Sequence, residues 1–184
     1  VVCLNLLLVV LGACLRAGSR ASLHACGPAG QLASQPASQP VGRLASQGGP
    51  LEKYAAITGG AKLIKKLPPL IAIPTTAGTG SEVSVGMITT MNNGRKETFA
   101  SPHLIPATAI CDPDLTLGLP PLMTAATGMD AITHCIEAFL TPAVNPPAEG
   151  IALDGLRRGV EWLPKAVADG SDRDARWHMM MCST

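Results

Sequence analysis

Short apolar runs bounded by turn-forming residues dominate the middle of the chain. Residues 70–74 (LIAIP) follow two prolines and are rich in β-branched side chains, which predicts a short buried strand. Residues 83–91 and 96–100 predict two more strands, joined at 92–94, because Asn-Gly is a strong turn signal. Another short apolar run covers 107–111. This part of the sequence therefore has the pattern of an α/β domain.

From Pro120 onwards the apolar positions recur at helical spacing. Pro120 and Pro121 suit the first turn of a helix, and apolar residues then return every three or four positions as far as Leu140. Gly128 leaves open a division into two helices. The predicted apolar positions of this segment are Ala126, Met129, Ile132, Ile136 and Phe139.

A second helix is predicted over residues 148–167, after the break at Asn145-Pro146-Pro147. Pro164 predicts a kink or a division near its end. Gly170 stops this helix, and Asp172 can cap a third one. The predicted apolar side of the second helix is Ile151, Leu153, Leu156 and Val160.

The first fifty residues differ in character from the rest. Residues 1–15 are strongly apolar but short for a membrane span. Their nearest basic residues, Arg16 and Arg20, follow the run, which is the wrong order for a signal peptide, and a buried strand or helix explains it equally well. Residues 27–50 repeat LASQ and SQP without apolar periodicity, which indicates a linker or disorder.

Composition and charge narrow the class of protein. Hydrophobic residues make up 47% of the 184 residues and charged residues 15%, which is enough to build a sizeable core. The net charge is +1 and no basic run is present, so we expect no nucleic-acid partner. We expect no membrane partner either, since the apolar run at 1–15 is short for a membrane span. The six cysteines form no Cys-x-x-Cys pair. They are typical of small buried residues in a reducing, cytoplasmic compartment.

Asp130 and His134 are the strongest candidates for chemistry by spacing. In GMDAITH they lie four residues apart in a predicted helix, which puts them on one face with Cβ atoms about 5–6 Å apart. One cation can reach both side chains. The alternative is that the Asp130 carboxylate favours the helix dipole and that His134 is a core residue whose hydrogen bonds are satisfied. Glu137 lies three residues beyond His134 and is either an additional metal ligand or a solvated surface residue.

A second candidate is the loop PTTAGTGSE at 74–82, which follows a predicted strand. Threonine hydroxyls, backbone N–H groups and two glycines suit phosphate or pyrophosphate binding. No Lys follows the second glycine, so this is not a P-loop. The alternative is a tight turn rich in Gly and Thr.

Three segments carry a resemblance to a known family. PTTAGTGSEVS, SPHLIPATAICDPDLTLGLPP and TAATGMDAITHCIEA closely resemble segments of the iron-containing (group III) alcohol dehydrogenases, and the resemblance runs from about Leu51 to Thr184. It implies a Rossmann-like α/β dinucleotide-binding part followed by an all-α helical domain, the dehydroquinate synthase-like architecture, here incomplete. The implied divisions are an atypical stretch at 1–50, the α/β part at 51–119 and the helical part at 120–184.

The same resemblance implies site residues and cofactors. Asp130 and His134 match metal ligands for Fe²⁺, with Zn²⁺ as an alternative, and no catalytic residue is implied beyond them. The residues that match NAD(P) contacts are Thr75, Thr76, Gly78, Thr79 and Lys96. The implied reaction interconverts a small alcohol and an aldehyde or ketone. The resemblance also implies that the full-length enzyme is a homo-oligomer, in the form of a dimer.

Two departures from the family pattern leave an alternative open. The family's Gly-Gly-Gly-Ser loop has no match in residues 1–50, and its two further histidine ligands have no match before Thr184. The alternative is a non-catalytic fragment or interaction remnant with an incomplete metal site.

Overall fold

The computed structural model of this chain describes residues 6–9, 44, 47–91 and 94–184. Within the apolar run at the start, Leu6–Val9 form strand β1. The other predictions for residues 1–43, including most of the linker, lie outside the described residues.

A small parallel arrangement forms where the sequence predicts strands. Strand β2 (Ile71–Pro74) pairs in parallel with β5 (Thr108–Ala109), with Ile71 opposite Thr108, and the sheet order is β1-β2-β5. Ala72 at the centre of β2 is fully buried. The prediction of a buried strand at 70–74 is confirmed for β2. Within the apolar run at 107–111, β5 covers two residues, of which Thr108 is exposed and Ala109 is half-buried.

An antiparallel ribbon lies between those two strands in the sequence. Strand β3 (Gly86–Thr90) pairs with β4 (Lys96–Ala100), and Gly86 lies opposite Ala100. This confirms the predicted hairpin. Gly94 in the connection has φ of +78°, a conformation that glycine adopts without strain. Asn92 and Asn93 are not among the described residues.

Three helices follow: α1 (Pro121–Leu140), α2 (Pro146–Ala168) and α3 (Arg173–Ser183). The first and third helices begin where the sequence indicates, and α2 begins at Pro146, two residues before the predicted start. The side chain of Asn145 accepts from Ala148 N at 3.4 Å, and that of Asp172 accepts from Ala175 N at 2.9 Å. The division that Gly128 left open does not occur, because α1 continues through this residue. Pro164 does not divide α2 either.

The predicted apolar faces of α1 and α2 are mostly wrong. Met129, Ile136 and Phe139 are 53%, 40% and 45% exposed, and only Ile132 of the predicted α1 set is buried. In α2, Ile151 and Val160 are 71% and 63% exposed. The residues buried along the two helices are mainly small: Thr124, Thr127, Gly128, Ala131, Ile132 and Cys135 in α1, and Ala152, Gly155, Gly159, Leu163 and Ala166 in α2.

Small residues are buried because the helices approach each other closely. A Cβ on Gly159 would lie 2.5 Å from Ile132 Cγ1 and 3.0 Å from Cys182 Sγ. A Cβ on Gly155 would lie 2.7 Å from Cys135 Sγ. Glycine at these positions lets α2 pack against both α1 and α3.

The chain divides into two compact units. One contains Leu6, Pro74–Gly80 and Cys111–Thr184, and the other contains Ser81–Ile110 with the described residues from Leu7 to Ile73. The second unit has its own core, in which Phe99 and Leu44 are fully buried. The proposed domain limits at 1–50, 51–119 and 120–184 stay a prediction. No helix in the described ranges is long and apolar enough to cross a membrane.

Candidate metal centre and cofactor loop

Asp130 and His134 lie one turn apart on α1. His134 Nε2 is 3.7 Å from Asp130 Oδ1, and the two side chains are 51% and 22% exposed. The uninterrupted helix through Gly128 fixes this i, i+4 geometry. Both side chains therefore turn towards the same point, and the imidazole is open to solvent.

The second carboxylate oxygen of Asp130 is buried. Among the residues that the structure describes, Asp130 Oδ2 has no hydrogen-bond partner. A buried polar atom without a partner is costly, and most such atoms are satisfied by a donor, a water or an ion. A carboxylate and an imidazole are both ordinary ligands of Fe²⁺ and Zn²⁺. These two residues thus fit a divalent cation as part of its coordination shell.

Among the described residues, two side chains on this face of α1 are well placed as metal ligands, Asp130 and His134. Glu137 Oε2 lies 4.0 Å from His134 Nδ1, but its side chain is 71% exposed. Within the described ranges, no group of three or more His, Cys, Asp or Glu side chains is arranged to hold a metal. A catalytic zinc site usually has three protein ligands, so this part of the chain supplies a partial site.

The Thr-rich loop packs against the helices of its own unit. Thr76 is 4% exposed, whereas Thr75 and Thr79 are half-buried. A Cβ on Gly78 would lie 2.9 Å from the Thr127 carbonyl oxygen. Gly78 is therefore needed for close packing on α1, whether or not a cofactor also approaches it. Residues 75–79 follow β2 directly, as the sequence predicts.

Lys96 belongs to the other compact unit. It is the first residue of β4, lies opposite Thr90 and is exposed. Its neighbours Arg95 and Glu97 approach within 3.9 Å of each other. One loop beside α1 thus contains Thr75, Thr76, Gly78 and Thr79, whereas Lys96 lies on β4 in the other unit. Their assignment to cofactor binding stays a prediction.

Arg176, which was not among the predicted site residues, organises the start of α1. It is 2% exposed, and its guanidinium donates to Thr124 Oγ1 at 2.7 Å, Leu119 O at 3.1 Å and Gly170 O at 3.0 Å. Burial lowers the pKa of this guanidinium. A lone Arg in an amphipathic helix has the sequence pattern of a surface residue, so no local signal indicates this role.

The cysteines near the site are structural. Cys135 and Cys182 are buried, and Cys135 Sγ donates to Cys182 O at 3.5 Å. Burial raises the pKa of both thiols, to about 12 for Cys182. Protonated, buried thiols are poor nucleophiles and poor metal ligands. The prediction of small buried residues is confirmed for Cys135, whereas Cys111 is only half-buried.

Comparison with known proteins identifies a family for both parts of the chain. Residues 40–113 match the family model described as iron-containing alcohol dehydrogenase. Residues 124–184 match the C-terminal model of the Fe-containing alcohol dehydrogenase family. The second match begins just after the start of α1 and contains Asp130 and His134.

Individual relatives agree with the family matches. The chain is 61% identical over 136 residues to 4-hydroxybutyrate dehydrogenase of Cupriavidus necator, an alignment that covers 73% of this chain and 36% of the relative. It is 42% identical to long-chain-alcohol dehydrogenase 1 of Geobacillus thermodenitrificans, over 71% of this chain and 33% of the relative. The chain thus spans about a third of the length of these curated relatives.

Solved structures show the same fold. A 1,3-propanediol oxidoreductase matches with a TM-score of 0.72 and 37% identity, over 78% of this chain and 37% of that one. Sulfoacetaldehyde reductase from Bifidobacterium kashiwanohense, solved with NAD⁺, matches with a TM-score of 0.69 and 34% identity, over 78% of this chain and 38% of that one. The strands and helices described above are part of this architecture, a Rossmann-like part and a helical domain. The chain belongs to the iron-containing alcohol dehydrogenase family.

Proposed function

We propose that the protein carrying this sequence interconverts an alcohol and an aldehyde or ketone, with NAD(P) as hydride carrier and a divalent metal held in part by Asp130 and His134. The observation that carries the proposal is the geometry on α1. An imidazole and a carboxylate share one helix face, and the second carboxylate oxygen is buried without a partner in the described residues. The relatives are alcohol and hydroxybutyrate dehydrogenases by name.

Each of the two side chains has a distinct part in this proposal. A divalent cation bound there would act as a Lewis acid on the oxygen of the alcohol or carbonyl. Asp130 supplies negative charge from a buried oxygen, which favours a cation over a neutral occupant. His134 supplies a ring nitrogen as the second ligand, from a side chain that is open to solvent.

The cofactor assignment rests on the loop after β2. We assign Thr75, Thr76, Gly78 and Thr79 to NAD(P), together with Lys96 on β4. Thr75 and Thr79 are the more accessible threonines, and a loop of this composition can present hydroxyl and backbone N–H groups to a pyrophosphate. A nicotinamide cofactor supplies the hydride chemistry, and the protein positions it. The neighbour solved with NAD⁺ supports this choice.

A short hydroxy acid is the first substrate class to test. The relative that shares 61% identity is a 4-hydroxybutyrate dehydrogenase, and one structural neighbour is a sulfoacetaldehyde reductase. Both substrates, by name, carry an anionic group at the end opposite the oxygen that reacts. We further propose Fe²⁺ rather than Zn²⁺, a cytoplasmic enzyme, and a homo-oligomer, a dimer, for the whole protein.

The test is NAD-dependent oxidation by the protein that carries this sequence. We expect NADH formation with 4-hydroxybutyrate after anaerobic loading with Fe²⁺, and weaker activity with butan-1-ol. Asp130→Asn and His134→Ala should each lower kcat/KM by more than the about 10–100-fold that follows loss of an outer-shell partner. His103→Ala, an exposed histidine in the other unit, is the matched control. Full activity and iron content in both variants would overturn the proposal.

A second candidate function is a non-catalytic fragment or interaction remnant. The observation in its favour is the two-donor site, since no third metal-ligating side chain joins Asp130 and His134 within the described ranges. This candidate predicts no NADH formation with any alcohol under metal loading. Metal-dependent turnover would dismiss it.

A further inference from the structure

Arg176 of α3 lies where three segments of its compact unit meet. Its guanidinium donates to Gly170 O between α2 and α3, to Leu119 O just before α1, and to Thr124 Oγ1 in the first turn of α1. Arg176 is 2% exposed, so the contacts that define its place lie among the described residues. One side chain of α3 therefore fixes where α1 begins.

The start of α1 depends on these hydrogen bonds. Thr124 Oγ1 donates in turn to Leu119 O at 3.3 Å, and Thr124 N donates to Pro120 O at 2.9 Å. Pro120, the N-cap residue of α1, makes no side-chain hydrogen bond to the helix. A side-chain cap is what usually fixes the first turn of a helix. Here the contacts of Arg176 with residues 119 and 124 hold that turn in place.

The loop proposed to hold NAD(P), residues 75–79, packs on the same part of α1. A Cβ on Gly78 would lie 2.9 Å from Thr127 O and 3.0 Å from Thr127 Cβ, so the loop and the helix are in direct contact. Thr127 follows Thr124 by three residues and shares its buried face of α1. A shift of the first turns of α1 would therefore move the surface on which Gly78 rests.

A small cavity lies between the guanidinium and the loop. Its volume is about 10 Å³, roughly what one water molecule needs. The loop, α1 and α3 all contribute to its walls, which include Ala77, Thr124, Thr127, Arg176 and Met179. No gap larger than a water thus separates the surroundings of Arg176 from the loop at this point.

The far end of the loop contacts the helix that carries Arg176. Gly80 has φ of +56°, and a Cβ there would lie 2.5 Å from Ser183 O in the last turn of α3. Helix α3 therefore supports the loop at two places. It acts directly at Gly80, and it acts at Gly78 through Arg176 and the first turns of α1.

We propose that Arg176 is a positioning residue for the cofactor, which holds the first turns of α1 where residues 75–79 can present hydroxyl and backbone N–H groups to NAD(P). The inference rests on the cofactor assignment of the proposed function and adds a residue to it. Asp130 and His134 lie further along α1, and their i, i+4 relation depends on the helix itself. Loss of Arg176 should therefore affect the dinucleotide more than the metal.

The probe is NAD⁺, titrated calorimetrically into the metal-free protein that carries this sequence, at a temperature where circular dichroism shows each variant folded. Arg176→Met should raise the Kd for NAD⁺ by about 2–30-fold, the range for a residue that acts through packed neighbours. Arg176→Lys keeps a cationic donor and should recover part of the affinity. The Fe²⁺ affinity of both variants, measured by anaerobic dialysis, should equal that of the parent.

A variant of matched stability separates positioning from a general loss of stability. Leu163→Ala removes core packing from α2 and should lower the free energy of unfolding by about 2–5 kcal/mol, similar to the loss expected for Arg176→Met. It breaks no hydrogen bond at the start of α1, so its Kd for NAD⁺ should match that of the parent. Arg173→Met, which removes an exposed arginine of α3, is the second control.

The outcomes distinguish this inference from the proposed function. NAD⁺ binding by Arg176→Met that is as tight as in the parent would overturn the inference and leave the cofactor assignment intact. Equal weakening in Leu163→Ala would also overturn it, because stability alone would then explain the effect. A folded parent that binds no NAD⁺ would overturn both. If Arg176→Met does not fold, Arg176→Lys decides the comparison, with a smaller expected shift than for Met.

Discussion

At the scale of single residues, small side chains decide how the helices pack. In the middle of a helix, Gly→Ala usually stabilises by about 1 kcal/mol through helix propensity. At Gly159 we expect the opposite sign, a loss of about 1–3 kcal/mol, because the new Cβ would press on Ile132 Cγ1 and Cys182 Sγ. Gly150→Ala is the control, because a Cβ there meets nothing within 4 Å. Urea unfolding of both variants measures the difference.

The contrast between Gly159 and Gly150 makes this prediction specific. Gly150→Ala should raise the free energy of unfolding by about 0.5–1 kcal/mol. If Gly159→Ala stabilised the chain equally, the close approach of α2 to α1 and α3 would be wrong.

Arg176 is the buried residue with the largest expected effect. Replacement by Met removes the hydrogen bonds that Arg176 donates to Thr124 Oγ1, Leu119 O and Gly170 O. This loss should lower the free energy of unfolding by about 3 kcal/mol. Arg173→Met is the matched control on the same helix. Arg173 is 67% exposed and pairs with Asp114, so its loss should cost at most about 1 kcal/mol. Equal losses in the two variants would contradict the structural role of Arg176.

His178 makes the stability depend on pH. Burial, and then the Arg158 guanidinium, lower the pKa of His178 below its usual 6.5, while Glu161 and Asp174 oppose this in part. Arg158 Nη1 donates to His178 Nδ1 at 3.0 Å, which requires a neutral acceptor nitrogen. Below about pH 6.5 the unfolded chain therefore binds a proton that the folded chain resists, so stability falls as pH decreases.

The measurement is the unfolding free energy of the parent chain and of His178→Gln from about pH 7.5 to pH 5.5. The parent should lose more stability than the variant over this range. Identical slopes would show that His178 does not carry the dependence. Fluorescence offers a second readout, because Trp162 stacks on His178 with ring centroids 4.1 Å apart.

At the scale of elements, the buried face of α2 can be tested by two truncations. Leu163 is 8% exposed and belongs to the core of the helical unit, so Leu163→Ala should cost about 2–5 kcal/mol. Val160 is 63% exposed, and Val160→Ala should change stability by no more than about 0.5 kcal/mol. Thermal or urea unfolding checks both. A larger loss of stability in Val160→Ala would instead support the apolar face that the sequence predicts for α2.

Local signals predicted the elements better than they predicted the faces. Pro121 and the cap at Asp172 act through their own turn, so the starts of α1 and α3 follow from the sequence, and the start of α2 follows to within two residues. The faces were wrong because large apolar side chains dominate a periodicity argument, whereas close helix packing buries glycine and alanine. The i, i+4 relation of Asp130 and His134 needed only a helix, and it was predictable. The burial of Asp130 Oδ2 and the contacts of Arg176 depend on tertiary packing.

At the scale of the whole molecule, the predicted site residues are distributed over both compact units. The metal pair and the Thr-rich loop lie in one unit, and Lys96 lies in the other. The family matches cover both parts, residues 40–113 and 124–184. Among the predicted site residues, the metal pair Asp130 and His134 has a geometry that the described residues define. The proposed function therefore depends first on this pair.

The most direct test of that account is anaerobic equilibrium dialysis of Fe²⁺ against the 184-residue chain, with His134→Ala and the control His103→Ala measured in parallel. We expect the parent and His103→Ala to bind Fe²⁺ with the same affinity, and His134→Ala to bind it at least about 10–100-fold more weakly. Equal Fe²⁺ affinity in all three proteins would contradict the assignment of His134, and with it Asp130, as metal ligands.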